Sequence, residues 1–397
     1  MAISSLTVLF SKAERPKAVG IWAASNFLAL PLGPILGGWL LTHYWWGWVF
    51  LINLPVAALG VAATAALVPE SRATERPGLD PLGVATSAAG LVAVTYGLIK
   101  AGQNGWGDVG AVLLTIVGAA LLVGFFMWER LLLRRPGGQP LLDLTLFRSA
   151  IFTWGAILAA VALLAMVGVL FTMPQYFQGL HGTDAMGSGL RLLPLIGGLV
   201  IGAVPADLVV RLVGAKVAVA AGFVLLAGGL SLGATTSTGS SDFFVAGWMA
   251  IAGAGMGLAL ATASSVALVE LSEERSGVGS AVLQAANKVG GPFGTAILGS
   301  VLSSVYLARL DVSRLPASAV AAVRQSIFDA VAVVHQVGSA PLLESVRTAF
   351  VHGMDTALVV SAGIALAGAV LTLLYLPATN ATMQACTARE GEVVGTQ

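Results

Sequence analysis

The chain has 397 residues, of which 57% are hydrophobic and 10% are charged, and its formal net charge is +1. Soluble globular domains carry about 25% charged residues, so this composition excludes a soluble domain and predicts an all-α protein that crosses a membrane repeatedly. The single cysteine, Cys386, excludes an intrachain disulfide and a cysteine-rich metal site.

The chain opens with an apolar run, residues 1–10, that is too short to cross a bilayer. Ten helical residues cover about 15 Å, against a hydrocarbon core of about 30 Å. No small-residue cleavage site follows, so the run is not interpreted as a signal peptide. Later runs that are long and apolar enough to cross lie at 18–42, 46–68, 81–100, 109–128, 150–173, 188–208, 212–235, 243–269, 277–305 and 355–377.

Basic residues concentrate in every second connector between these runs. The positive-inside rule makes those connectors cytoplasmic, which predicts a cytoplasmic C-terminus and a multi-pass protein of the plasma membrane. The basic residues of this set are Lys12, Arg15, Lys17, Arg72, Arg76, Arg130, Arg134, Arg135, Arg148, Arg211, Lys216, Arg275, Lys288 and Arg389.

The first long run carries glycines and prolines where an inert anchor would carry leucine. Pro31 and Pro34 kink a helix, while Gly33 and Gly37, one turn apart, open a groove for close packing. The pattern returns in the second half of the chain, where the corresponding residues are Gly279, Gly291, Pro292 and Gly294. We therefore expect a duplicated bundle.

In that duplication, residues 1–11 match only the second half of the run at 243–269. A helix that began at mid-bilayer would leave its first N–H groups unpaired in hydrocarbon. The expectation is an incomplete chain that lacks three and a half helices of a fourteen-span protein.

The connector 306–354 contains apolar residues at helical spacing with polar residues between them. This pattern predicts an amphipathic helix on the membrane surface or over the outer mouth, or else a passive linker. The apolar positions are Val320, Val323, Ile327, Val331 and Val334.

The stretch from Gly20 to Pro55, with its L-G-P-x-x-G-G core and later W-x-W-x-F-x-I-N-x-P pattern, resembles the major facilitator superfamily. Within it, the chain is similar to the fourteen-span drug:proton antiporters of the EmrB/QacA type. Gly47 stands where that family has an arginine. The positions that match its antiporter motif are Gly20, Gly33, Pro34, Gly37 and Gly38, with Ala29 in place of a glycine.

The resemblance implies proton-coupled efflux of hydrophobic or cationic drugs or antibiotics by alternating access. Its hinges would be the Gly-Pro helices at 18–42 and 277–305, which would lie between two rocking bundles. The partners implied are a small-molecule substrate, protons and the lipid bilayer, with no nucleic acid and no cofactor.

The family's cytoplasmic D-R-x-G-R-R loop has only a degenerate counterpart here. Asp207, Arg211 and Lys216, with Gly214, are read as a cytoplasmic latch or as ordinary positive-inside charges. The family's first-helix acid belongs to the part expected to be missing, so the proton-coupling residue is expected there.

Ionisable groups are expected only near the ends of the spans, because a charge at the bilayer centre costs at least about 2.5 kcal/mol. Arg191 could reach the interface, or could serve a substrate or proton pathway. Asp184 and Asp355 are predicted to cap helices at the outer side. The four histidines are scattered, which gives no metal site and no cluster typical of a membrane enzyme.

The predicted organisation places the remainder of an N-terminal bundle at 1–68, namely the end of span 4 with spans 5 and 6. Two inserted spans follow at 69–130, a cytoplasmic loop at 131–149, a six-helix bundle at 150–377 with its outer loop at 306–354, and a cytoplasmic tail at 378–397. A metabolite carrier on the same fold and an inactive truncated fragment remain as alternatives.

Overall fold

The protein is described by a computed structural model that covers residues 33, 35–67, 80–105, 107–135, 144–269, 273–310, 320, 323, 326–337 and 340–377. Over these residues the chain forms helices joined by short connections, as its composition predicts. In chain order the helices are α1 (35–43), α2 (Trp48–Leu51), α3 (Asn53–Leu67), α4 (Pro81–Asn104), α5 (Val109–Arg134), α6 (Ala150–Gln175), α7 (Ala185–Arg191), α8 (Leu193–Ala203), α9 (Ala206–Val213), α10 (Ala215–Gly233), α11 (Asp242–Val269), α12 (Glu273–Arg309), α13 (Ile327–Val337) and α14 (Ala340–Tyr375).

Within the described residues, nine helical stretches are long and apolar enough to cross a membrane. They coincide with nine of the ten predicted runs. The tenth, at 18–42, lies mostly outside the described residues. The last span begins at Pro341 rather than at residue 355, so the loop predicted at 306–354 is largely helical.

Capping residues set where several spans begin. The carboxylate of Asp80 accepts a hydrogen bond from the N–H of Gly83 at 3.0 Å at the start of α4, and Pro81 takes the first helical position. Asp108 accepts from the N–H of Ala111 at 2.7 Å at the start of α5. This backbone hydrogen bond, helped by the Asn104 amide, lowers the pKa of Asp108 below its ordinary value.

The main core lies among the helices between residues 150 and 376. Helix α6 packs against α11, α12 and α14, while α10 lies between α11 and α14. The largest fully buried side chains come from these helices and include Phe152, Tyr176, Phe223, Trp248 and Phe350. Alternate spans run in opposite directions, and Trp154 near the start of α6 stacks on Tyr375 at the end of α14.

The molecule therefore has two ends. The Arg211 end carries Asp80, Arg134 and the start of α6, and the Asp184 end carries Asp108 and the start of α11. Helix α6 continues through Pro174 into a π-helical turn, Tyr176–Leu180, at the Asp184 end.

The predicted amphipathic helix exists as α13 and packs on the bundle. Val323, Ile327 and Val334 are buried, and the hydroxyl of Tyr306 donates a hydrogen bond to the carbonyl of Val323 at 2.9 Å. Helix α13 thus packs against α14 and the π-turn at the Asp184 end, while Val323, which precedes it, contacts the end of α12 through Tyr306.

Candidate functional site

A cavity of about 950 Å³ opens between α4, α5 and α12. We call it the α4–α12 groove. Its walls are apolar and rich in aromatic rings, since Tyr96, Phe125, Phe126, Phe147 and Phe293 all line it. Ligand pockets for drug-sized compounds occupy about 300–1,000 Å³ and are mostly apolar. The groove therefore has the size and chemistry of a site for a bulky hydrophobic compound.

Glycines bring α4 and α5 into close contact along one wall of the groove. A Cβ on Gly97 would lie 2.8 Å from the backbone nitrogen of Thr115, and one on Gly118 would lie 2.5 Å from that of Val94. At the Arg211 end, the indole N–H of Trp128 donates to the buried carboxylate of Asp80 at 2.9 Å. The two helices are thus fixed as a hairpin.

A buried hydrogen bond attaches this hairpin to α12. The hydroxyl of Ser300 donates to the carbonyl of Leu98 at 2.6 Å, and Gly102 lets the two backbones approach at the same level. Val94, Leu98 and Ala296 form a small buried cluster beside this contact. The groove lies on the Arg211 side of the cluster, where α4 and α12 are held apart.

Lys288 lines the groove and is exposed. The prediction that Lys288 is a basic connector residue was wrong. Residue 288 lies inside the candidate span Val278–Arg309. The expectation that no ionisable group lies deep in the spans fails here for the same reason.

Asp355 gives a second correction. The sequence predicted a helix cap, but α14 begins at Ala340, so Asp355 lies in the helix interior. Its Oδ1 is buried and has no hydrogen-bond partner among the described residues. Arg347, two turns earlier on the same helix, likewise has a buried Nε without a partner. Asp184, by contrast, caps α7 as predicted, with the N–H of Gly187 at 2.7 Å.

The remaining polar contacts of the Asp184 end surround the π-turn. Arg191 pairs with Asp242 at 3.2 Å and lies 5.7 Å from the ring centroid of Phe177. The hydroxyl of Tyr176 donates to the carbonyl of Ser237 at 3.1 Å. Burial lowers the pKa of His181, and the charge of Asp242 opposes that effect. Arg191 is therefore held near the end of its span.

Of the predicted antiporter motif, Gly20, Ala29 and Pro34 lie outside the described residues. The structure gives Gly33 and Gly37 open space, since a Cβ on either would meet nothing within 4 Å.

Gly38, the next motif glycine, packs closely. A Cβ there would lie 2.7 Å from the carbonyl oxygen of Ala185 and from the Cα of Met186, at the start of α7. A 3.3 Å hydrogen bond from Thr42 to Asp184 adds to this contact. The end of the Gly-Pro helix thus meets the span that begins at α7.

The second Gly-Pro helix, α12, has a packed face and an open face. A Cβ on Gly294 would lie 2.9 Å from the carbonyl oxygen of Leu164 on α6, and Gly279 is also buried. Gly291 has open space around it, and Pro292 is exposed and lines the groove. One face of α12 therefore packs against α6, and the other borders the groove.

The predicted latch residues lie near the Arg211 end. Asp207 and Arg211 are exposed on the short helix α9, and Lys216 is half-buried in the first turn of α10. Among the described residues no ion pair joins these three side chains.

Sequence reasoning missed a set of very close backbone contacts among the described helices. We call it the glycine seam, in which backbone touches backbone because no Cβ intervenes. Its members lie on α8, α10 and α11, and they are Gly198, Gly202, Gly222, Gly229, Gly253, Gly255 and Gly257. The spacing of Gly198 and Gly202, and of Gly253 and Gly257, was the available signal.

Comparison with known proteins decides the family. The profile of the Major Facilitator Superfamily matches residues 1–295 of the chain. The chain belongs to the Major Facilitator Superfamily. As a member of this transporter superfamily, it is a multi-pass membrane protein, in agreement with the all-helical fold and the nine candidate spans of the described residues.

Individual relatives of this superfamily member carry export and resistance names. The tetracenomycin C resistance and export protein of Streptomyces glaucescens is 29% identical over 94% of this chain and 70% of its own length. The multidrug resistance protein Stp of Mycobacterium tuberculosis is 30% identical over 75% of this chain and 54% of its own length. The probable actinorhodin transporter of Streptomyces coelicolor is 30% identical over 74% of this chain. The chain spans 52% of that relative, so it matches only about half the length of two of these three proteins.

Proposed function

We propose that the chain is a secondary active transporter that exports hydrophobic drugs or antibiotics in exchange for protons, as a fourteen-span antiporter of the EmrB/QacA type. The observation that carries this proposal is the apolar, aromatic-lined α4–α12 groove in a member of the Major Facilitator Superfamily. The export and resistance names of the relatives support the same direction of transport. We propose further that the substrate binds in this groove.

Alternating access would come from rocking of an N-terminal bundle, which ends near residue 68, against the C-terminal bundle at 150–377. The inserted spans at 69–130 would stay with α12, because Ser300 and Leu98 join them through a buried hydrogen bond. The Gly-Pro helices would serve as hinges, with the latch at Asp207, Arg211 and Lys216 on the cytoplasmic side. In this orientation the Arg211 end and the C-terminus face the cytoplasm of the cell membrane.

Proton coupling requires an ionisable group that opens to each side in turn. Within the described residues, Asp355 is a carboxyl inside a span with an unpartnered, buried oxygen. We propose it as the described carboxyl to test first. Arg191 is a weaker candidate, because its pairing with Asp242 gives it a structural role.

The proposal is tested by transport in everted membrane vesicles that contain the full-length gene product. With the lumen acidified by respiration, we expect a fluorescent polycyclic probe such as pyrenesulfonate to accumulate in the vesicles. Nigericin, which collapses the pH gradient, should release it. Vesicles without the gene product serve as the control.

Two outcomes would overturn the proposal. If the inserted protein accumulates none of pyrenesulfonate, pyrenemethanol and pyrenemethylammonium, it is not an exporter of hydrophobic compounds. If the probe moves in the same direction as the protons, the protein is an importer on the same fold. Counterflow measurements on right-side-out vesicles would then reveal inward accumulation.

A further inference from the structure

We propose that the α4–α12 groove selects amphipathic anions: compounds whose flat apolar body lies against α4 and α5 and whose acidic group pairs with Lys288. The inference rests on the proposed function, because it names the class of substrate for the same site. It replaces the cationic part of the sequence-based expectation with the opposite charge.

The charge of the groove favours an anionic ligand. Of the described residues that line it, Lys288 alone is charged. The ion pairs found in the described part of the chain join Lys100 to Asp108 and Arg191 to Asp242, so neither involves Lys288. The exposed ammonium group therefore stands beside apolar walls without a carboxylate partner among the described residues. A ligand that brings an anion supplies the missing partner, while a cationic ligand adds repulsion.

Lys288 also lies well inside its span. It comes ten residues after Val278, where the 32-residue candidate span begins. At 1.5 Å per residue it is about 15 Å of helix from that start, in a stretch that is longer than a hydrocarbon core of about 30 Å. Cα–Cβ bonds in a helix tilt toward its N-terminus, so the side chain leans back toward the Arg211 end. Ionisable groups at such depths are rare and are usually functional.

Pro292 lies four residues after Lys288 on the same helix. Proline has no N–H, so the carbonyl of residue 288 loses the hydrogen bond that an α-helix would give it. The same residue therefore offers an ammonium donor and a backbone acceptor. A ligand uses both groups when an anionic oxygen accepts from the ammonium and a separate hydroxyl on the ligand donates to the carbonyl.

The apolar wall of the groove presents flat aromatic rings to a ligand. Tyr96 and Phe126 are 58% and 47% exposed, respectively, and both line the groove. Leu122 and Phe293 line it as well and pack against the buried cluster below. Rings of this kind stack on planar polycyclic compounds.

Nearby acidic groups do not neutralise the site. Glu129 lies one turn beyond Phe125 on α5, but it is fully buried and already has an interaction of its own. Asp80, at the Arg211 end of α4, is occupied by the N–H of Gly83 and the indole of Trp128.

The test uses matched probes that share one polycyclic body and differ in charge. Pyrenesulfonate, pyrenemethanol and pyrenemethylammonium are titrated into the purified full-length gene product in phosphatidylcholine nanodiscs, and pyrene fluorescence is corrected with empty nanodiscs. We expect the wild-type protein to bind the sulfonate at least tenfold more tightly than the ammonium compound.

Substitutions at Lys288 assign this preference to one side chain. Lys288→Met should weaken sulfonate binding about tenfold and leave pyrenemethanol binding unchanged. Lys288→Glu should reverse the preference, and Lys288→Arg should retain it. Lys100→Met is the matched control, because Lys100 lies on α4 but pairs with Asp108, and it should bind all three probes like the wild type.

The proposal is overturned if the wild type prefers the ammonium probe, or if Lys288→Met binds the sulfonate as tightly as the wild type. It is also overturned if phosphatidylglycerol added to the nanodiscs abolishes the Lys288-dependent binding at a few lipids per protein, since the occupant would then be a lipid. These binding results test the charge selection of the groove and do not test transport. A protein that exports pyrenemethylammonium as well as pyrenesulfonate keeps the proposed function and loses only the charge selection.

Discussion

The glycine seam and the α4–α12 groove both lie on helices that carry glycines, but they differ in what fills the space between these helices. In the seam, a Cβ on Gly202 would clash with the carbonyl oxygen of Ala254, and one on Gly257 with that of Leu199. At the groove, α12 presents Pro292, and a Cβ on the preceding Gly291 would meet nothing within 4 Å. Small residues therefore allow close packing but do not by themselves produce it.

The difference indicates that the two regions have different roles, the seam in the fold and the groove in transport. The seam makes α8, α10 and α11 a rigid block, because interlocked backbones have few alternative arrangements. The buried hydrogen bond between Ser300 and Leu98 attaches α4 to α12. The groove lies on the Arg211 side of this bond. We expect substitutions in the seam to damage the fold and substitutions around the groove to damage transport.

The largest effect is expected for Gly198→Leu, which forces a side chain into the backbone of α11. The seam would have to open, so little folded protein should reach the membrane. Gly197→Leu is the matched control, because its neighbouring position has open space. Size-exclusion profiles and thermal unfolding in detergent measure both, and equal behaviour of the two variants would show that the seam is not rigid.

The next effect concerns the predicted hinge at Gly33 and Gly37. We expect Gly37→Leu and Gly33→Leu to abolish export, because both positions lie in the proposed hinge. Membrane insertion should stay normal, because both positions have open space in the described arrangement. Vesicle transport and immunoblots of the membrane fraction measure the two properties. Normal efflux by both variants would remove the hinge assignment.

Asp355→Asn tests the buried carboxyl of α14. The substitution keeps the shape but removes the ionisable group, so transport driven by the pH gradient should fall strongly. Thermal stability should not fall, since the buried Oδ1 has no hydrogen-bond partner to lose among the described residues. Asp329→Asn, which alters a capping carboxylate on α13, is the control for transport. Unchanged coupling in Asp355→Asn would exclude this carboxyl.

Ser300→Ala tests how α4 is attached to α12. The variant loses the buried hydrogen bond to Leu98, and we expect it to lower stability by about 1 kcal/mol. Thermal unfolding in detergent measures this change. Ser231→Ala, on the exposed side of α10, should leave stability unchanged, and an equal loss in both variants would mean that the bond does not hold the groove together.

The smallest effect is expected for Arg191→Gln at the Asp184 end. Its ion pair with Asp242 is partly exposed, with 35% of the Arg191 side chain and 65% of the Asp242 side chain accessible. Such pairs contribute roughly 0–1 kcal/mol, so folding and export should be nearly normal. Complete loss of transport would instead indicate that Arg191 belongs to the substrate or proton pathway.

The spans and the family could be predicted from the sequence, because apolar length and the Gly-Pro motif are local properties. Lys288 was counted as a connector residue although it lies inside the predicted run 277–305, and the positive-inside rule describes connectors only. Asp355 was misplaced because α14 is less apolar before that residue, and the hydropathy pattern hides its true start at Ala340.

The partners of the glycines were beyond the sequence for a different reason. Gly198 and Gly202 repeat the spacing of Gly33 and Gly37, yet the first pair is packed against α11 and the second is open. Spacing defines a face that permits contact, but only the arrangement of the helices decides which neighbour takes it.

The most direct test of this division is cysteine accessibility in a Cys386→Ser background. Ala285 is exposed and lines the groove, whereas Ala259 is fully buried and touches Gly222 in the seam. We predict that N-ethylmaleimide labels Ala285→Cys, that pyrenesulfonate protects it, and that Ala259→Cys stays unlabelled. Equal labelling at both positions, or labelling of Ala285→Cys that the probe does not change, would contradict the account.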